Sequence, residues 1–138
     1  MKIQILPLVT GAQEATGLTV IIDVFRAFSL EAYMYASGAK KVIPVKTVED
    51  ALALKKENPS YILVGERKGI KVEGFDYGNS PSEFVGVDLS GKTLIHTTSA
   101  GVLGLASAVN ASQIVTGALV NAKATAKYIF EQNPEVVS

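Results

Sequence analysis

The sequence predicts an α/β fold of three layers, α/β/α, with a largely parallel central sheet. Three observations lead there. Short runs such as Thr19–Ile22 and Tyr61–Val64 are continuously apolar or β-favouring, as strands buried on both faces are. Segments with helical spacing or composition separate these runs. Helix stops fall where they are needed, at Gly38, Asn58-Pro59 and Asn133-Pro134. With 138 residues, the chain is expected to form one α/β domain over 1–138.

In order, Lys2 to Leu8 alternates well enough for a first strand, with Pro7 near its end. Thr10 to Gly17 reads as a loop. Thr19 to Asp23 reads as a buried strand closed by an acid. Ala27 to Ser37 is expected to be a helix stopped by Gly38. Lys41 to Val45 is a second buried-type strand, which Pro44 pushes toward an edge. Thr47-Val48-Glu49-Asp50 matches a helix-capping signature, and Asn58-Pro59 ends that helix. Tyr61 to Gly65 is another strand.

Glu66 to Ser90 has no sustained period and is expected to be a long functional loop. Thr93 to Thr97 is a strand, Ala100 to Val109 a helix of small residues, and Gln113 to Thr116 a strand. Asn121 is expected to cap a last helix running to about Gln132.

Composition removes several classes of function. There are 13 basic and 13 acidic residues, so nothing draws the chain to nucleic acid or an anionic membrane. The absence of Cys excludes disulfides, thiolate catalysis and Cys-based metal sites. The one histidine, His96, precedes the end of its strand and should face away from Thr97, so it is expected to be a packing residue. No signal segment or membrane span stands out, and a cytoplasmic protein is the default expectation. A homo-oligomer is compatible with this reading.

In open parallel sheets, ligands bind beyond the carboxyl ends of the strands. Polar residues collect at those predicted ends: Asp23 with Arg26 and Ser29, Glu66 with Arg67, and Thr97, Thr98 and Ser99. The long loop adds Asp76, Asn79 and Ser80. Acids, arginines and hydroxyls together suit a phosphate held beside a divalent cation. Arginine grips phosphate oxygens in pairs, and magnesium takes one or two carboxylates plus water and substrate. Each residue also has a purely structural reading: Asp23 as a helix cap, Glu66 and Arg67 as a surface ion pair, Thr97 to Ser99 as a polar strand end, Asp76 to Ser80 as a turn. Phosphate-loop, dinucleotide and nucleophile-elbow signatures are absent.

Five strings, in this order and at these spacings, carry a family resemblance. They are Asp23-Val24-Phe25-Arg26-Ala27-Phe28-Ser29, Gly65-Glu66-Arg67, Gly74-Phe75-Asp76-Tyr77-Gly78-Asn79-Ser80-Pro81, Thr97-Thr98-Ser99-Ala100-Gly101 and Asn121-Ala122. The chain resembles the N-terminal part of the 2-phosphosulfolactate phosphatase family of coenzyme M biosynthesis. Two positions depart from the family's pattern: Ser99-Ala100-Gly101 stands where Thr-Asn-Gly is common, and Phe28 where a smaller residue is usual. The resemblance implies a three-layer α/β/α fold and magnesium-dependent hydrolysis of 2-phosphosulfolactate or a similar small phosphorylated acid.

Charge and position then suggest the roles. Asp23, Glu66 and Asp76 are the expected pool of Mg2+ ligands and water-activating base. Arg26 and Arg67 are the expected anion clamps. Ser29, Asn79, Ser80, Thr97, Thr98, Ser99 and Gly101 are expected to line the substrate. The alternative is a catalytically incomplete anion-binding or scaffold domain.

Overall fold

The structure, a computed structural model, describes all 138 residues. Eight strands and five α-helices follow one another as β1 (Lys2–Ile3), α1 (Leu8–Glu14), β2 (Gly17–Ile22), α2 (Ala27–Ala36), β3 (Lys41–Pro44), α3 (Val48–Glu57), β4 (Ile62–Arg67), β5 (Ile70–Lys71), β6 (Thr93–Thr97), α4 (Gly101–Ser107), β7 (Ala111–Gly117), α5 (Ala122–Gln132) and β8 (Val136–Val137). The α/β class holds, and all pairings but one are parallel.

The strands divide into two four-stranded sheets, ordered β1-β8-β2-β7 and β3-β6-β4-β5. In the second, helices cover both faces of the central strands. Leu94 of β6 packs with Val64, Val42 and, from α2, Leu30 and Met34. Its neighbour Ile95 points the other way, onto Leu63 and Ala51 of α3. Burying these side chains from both faces supplies the three-layer core, at about 2 kcal/mol for each fully buried Leu or Ile. Phe84 and Leu89 of the long 72–92 loop complete the α2-side cluster and tie that loop to the core.

Local chemistry explains most boundaries. Thr47 accepts a hydrogen bond from the Asp50 N–H at 3.0 Å and starts α3. Gly38, at φ +96°, follows α2 with the backbone conformation that favours glycine. Pro44 sits on an edge strand, since β3 pairs with β6 alone.

The structure corrects five expectations. The first strand stops at Ile3, and residues expected to be a loop form α1, whose Gly11 packs against the Leu6 backbone. Glycine disfavours helix locally, and docking on α4 compensates. Glu66 to Ser90 is not wholly irregular: Lys68 and Gly69, at φ +53° and +80°, form the two-residue turn of a β4–β5 hairpin. Residues 81–84 form a single 3₁₀ turn. Asn121 occupies the cap position of α5 but its side chain does not cap the helix: its amide oxygen accepts from Ala118 N–H at 2.7 Å and its amide nitrogen donates to the Thr116 carbonyl. Last, β8 inserts between β1 and β2, and two residues are too few to show a period.

Candidate active site

Four stretches meet at the carboxyl ends of β2, β4 and β6. Glu66, near the end of β4, is buried and its carboxylate is fully engaged. Its Oε1 accepts the Ser99 N–H at 2.7 Å. Its Oε2 accepts the Gly69 N–H at 2.7 Å and the Ser99 hydroxyl at 3.1 Å. The same hydroxyl oxygen accepts the Lys68 N–H at 3.2 Å. Burial alone would raise the Glu66 carboxyl, but the Ser99 and Gly69 donors, with the Arg67 charge, outweigh it and hold it below its ordinary value. Glu66 is therefore an ionised clasp between the β4–β5 turn and the segment after β6.

Asp23 follows β2 and behaves oppositely. Loss of solvent raises its carboxyl above the ordinary aspartate value, and the nearby Glu66 charge adds to this; N–H donors at Ala27 and Phe25 and the adjacent His96 lower it only in part. No lysine or arginine pairs with it. Two neighbouring carboxyls are thus pushed in opposite directions, a pattern that separates acid–base roles at catalytic sites.

Two glycines let these segments meet. A Cβ on Gly65 would collide with the Thr97 carbonyl of β6. A Cβ on Gly101 would lie 2.6 Å from the Ala27 Cβ and 3.0 Å from Asp23 Oδ2, so the start of α4 can press on Asp23 and α2 only without a side chain.

The other expected residues divide. Arg67 is held by three bonds: to its own neighbour's carbonyl at Glu66 (2.7 Å), to the Lys46 carbonyl (3.1 Å) and to Thr97 Oγ1 (2.8 Å). It braces β4 against β6 on the α3 face. Arg26 immediately precedes α2, and its guanidinium has no ion-pair partner. Thr98 accepts the Val102 N–H at 3.3 Å within the first turn of α4. Ser29 donates to the Val24 carbonyl at 2.7 Å and faces inward. The Ser80 N–H donates to Glu83 at 3.3 Å, and its hydroxyl lies 2.9 Å from that of Ser82, which makes it a turn residue.

Asp76 does not join the cluster. Its carboxylate accepts the Leu63 N–H at 2.8 Å and pairs with Lys55 at 3.6 Å. Leu63 lies at the start of β4, three residues from Glu66, so Asp76 is about 10 Å down the strand. The three acids expected to share a cation do not assemble, and no group of three or more His, Cys, Asp or Glu side chains could hold one. Asn79 lies two residues past Tyr77, which bridges Val64 of β4 in parallel. It is buried and meets His96, whose Nε2 lies 3.3 Å from its Oδ1. His96 points away from Thr97, as alternation required.

Beside Asp23 and Gly101, the face of β2 opens into an apolar cleft of about 700 Å³ bordered by Ile5, Leu6, Ile22, Leu119 and Ile129. No helix is long and apolar enough to cross a membrane.

A sequence model of the 2-phosphosulpholactate phosphatase family matches residues 6–138. A probable 2-phosphosulfolactate phosphatase of Carboxydothermus hydrogenoformans is 46% identical over 118 residues, covering 86% of this chain and 49% of that protein. Proteins of the same description from Clostridium acetobutylicum (44% over 119 residues, 86% and 51%) and Bacillus subtilis (39% over 112 residues, 81% and 49%) are also similar. The chain spans about half the length of the curated relatives it matches.

Proposed function

Because the chain belongs to the 2-phosphosulfolactate phosphatase family, we propose that it binds a small phosphorylated and sulfonated acid, 2-phosphosulfolactate, at the Asp23–Glu66–Ser99 rim and hydrolyses the phosphate ester with magnesium. The observation that carries this reading is Asp23: a partly desolvated carboxylate with no lysine or arginine paired to it. Such a group suits a bound cation.

Of the three acids expected to hold magnesium, Asp23 is the one left for it: it takes two backbone N–H donors but no cation, whereas Glu66 is saturated by donors and Asp76 is remote and paired with Lys55. One carboxylate, completed by substrate oxygens and water, is within magnesium's habits. Asp23 would hold the ion, with ionised Glu66 behind it adding negative potential. When bound, the ion would neutralise phosphoryl charge and polarise the ester.

The chain's own groups do the rest. Arg26 supplies a free guanidinium for one anionic group of the substrate. Glu66 fixes the Ser99 segment, so the backbone and hydroxyls of Thr98 to Gly101 form a rigid wall and spend no reorganisation on the reaction. Arg67 keeps β4 and β6 in register and acts as a brace. The reading sets the protein in the cytoplasm, where small phosphorylated metabolites are found.

The test is phosphate release from 2-phosphosulfolactate with magnesium, repeated after chelation and with Asp23→Asn. Release that magnesium stimulates and the variant abolishes is the expected result. Binding of substrate without release would favour the anion-binding alternative, which the half-length match to the relatives makes worth measuring.

A further inference from the structure

We propose that Glu31 and His96 form a buried positioning pair that orients Asn79 as a hydrogen-bond donor to the substrate, an assignment that rests on the phosphatase reading above. His96 is 0% exposed, and its two ring nitrogens face two polar groups from different parts of the fold. Nε2 lies 3.3 Å from Asn79 Oδ1 in the long loop. Nδ1 lies 3.6 Å from Glu31 Oε1 on α2 and has no closer hydrogen-bond partner. Glu31 is itself buried on α2.

Three polar side chains in a core cost free energy unless they satisfy one another. Apolar residues at 31 and 96 would pack here without that cost, so stability alone does not account for the arrangement. What the line does achieve is connection. It runs from α2, across β6, to the long loop. An acceptor at Asn79 Oδ1 requires the proton on His96 Nε2, and the Glu31 carboxyl on the Nδ1 side holds the ring in that orientation. With Oδ1 turned inward, the amide NH2 of Asn79 is the end left to face outward. The loop cannot swing it away: Tyr77 N–H donates to the Leu63 carbonyl, Gly65 N–H donates to the Tyr77 carbonyl, and Gly78 N–H donates to Glu83.

His96 is the chain's one histidine, so its ring can be read by nitrogen NMR without assignment. The expected spectrum at neutral pH shows a protonated Nε2, slow to exchange with solvent, that shifts in Asn79→Ala. A ring with unprotonated Nε2, or one in rapid exchange, overturns the proposal. The second arm is kinetic. Asn79→Ala and Glu31→Gln should each raise KM about tenfold or more with little change in kcat. The double variant should be no worse than Asn79→Ala alone, because Glu31 acts through Asn79. Independent, additive losses, or an unchanged KM in Glu31→Gln, would show a merely structural pair. If the wild-type chain releases no phosphate at all, the phosphatase reading fails; the Asn79 amide resonance, titrated with inorganic phosphate, then decides this proposal. A shift present in wild type and lost in Glu31→Gln supports it, and no shift overturns it.

Discussion

The Glu66 carboxylate grips Ser99 twice, through its backbone N–H at 2.7 Å and its hydroxyl at 3.1 Å. That contact joins the end of β4 to the segment after β6, and a third bond to Gly69 adds the hairpin turn. It shapes the rim on which the other groups act.

Glu66→Gln should therefore destabilise the protein by about 2 kcal/mol, since hydrogen bonds to a charged acceptor in a buried setting are the stronger kind. Denaturant unfolding at neutral pH measures this. The pH dependence has a definite sign. The folded protein holds Glu66 below its ordinary value of 4.5, so the unfolded chain binds more protons in that range. The stabilisation is complete above the ordinary value and is lost as pH falls through the folded one. Stability curves of wild type and Glu66→Gln should converge in acid; parallel curves would count against the clasp.

Asp23→Asn should separate activity from stability. The fold disfavours the Asp23 charge, so removing it should leave the melting temperature unchanged or raised at neutral pH. Magnesium-stimulated phosphate release should fall at least a hundredfold, in the range seen when a group that stabilises transition-state charge is removed. In wild type, protons should compete with magnesium at a pH above the ordinary aspartate value of 3.8. Magnesium titrations at several pH values measure that competition.

The two arginines should respond differently. Arg67→Ala removes three hydrogen bonds between β4, β6 and the Lys46 carbonyl, and should cost about 2 kcal/mol or more of stability. Arg26→Ala breaks no ion pair and should leave unfolding within about 0.5 kcal/mol of wild type while weakening substrate binding. Paired unfolding and KM measurements would expose a reversed pattern.

Gly101→Ala tests the meeting of α4 with α2. The added methyl would sit 2.6 Å from the Ala27 Cβ and 3.0 Å from Asp23 Oδ2. We expect a loss of about 1–3 kcal/mol from overpacking together with reduced activity, because relief requires moving the start of α4 away from Asp23. An active, fully stable variant would place the site elsewhere.

The residue pattern made much of this legible. The order of buried-type strands and helices predicted the parallel architecture, and β6 has the expected bounds, Thr93 to Thr97. The polar strings at strand ends located Asp23, Glu66 and the 97–99 segment. Other features left weak traces. A glycine inside α1 lowered its helical signal, and β8 is two residues long. The Lys68-Gly69 turn was a local hint of the β4–β5 hairpin that the charged, glycine-rich context masked. Asp76 shared a motif with Asn79, yet lies one end of a strand away from the cluster.

The sequence by itself determined the α/β class, the main strands and helices from β2 onward and the polar strings that end them, because periodicity and capping are properties of neighbours along the chain. The tertiary structure alone decided that the strands split into two sheets, that Glu66 is spent on Ser99 while Asp23 has no cation partner, and that His96 lies between Glu31 and Asn79. Those outcomes depend on distances between residues remote in sequence, and a carboxylate's role follows from the donors and solvent around it in space.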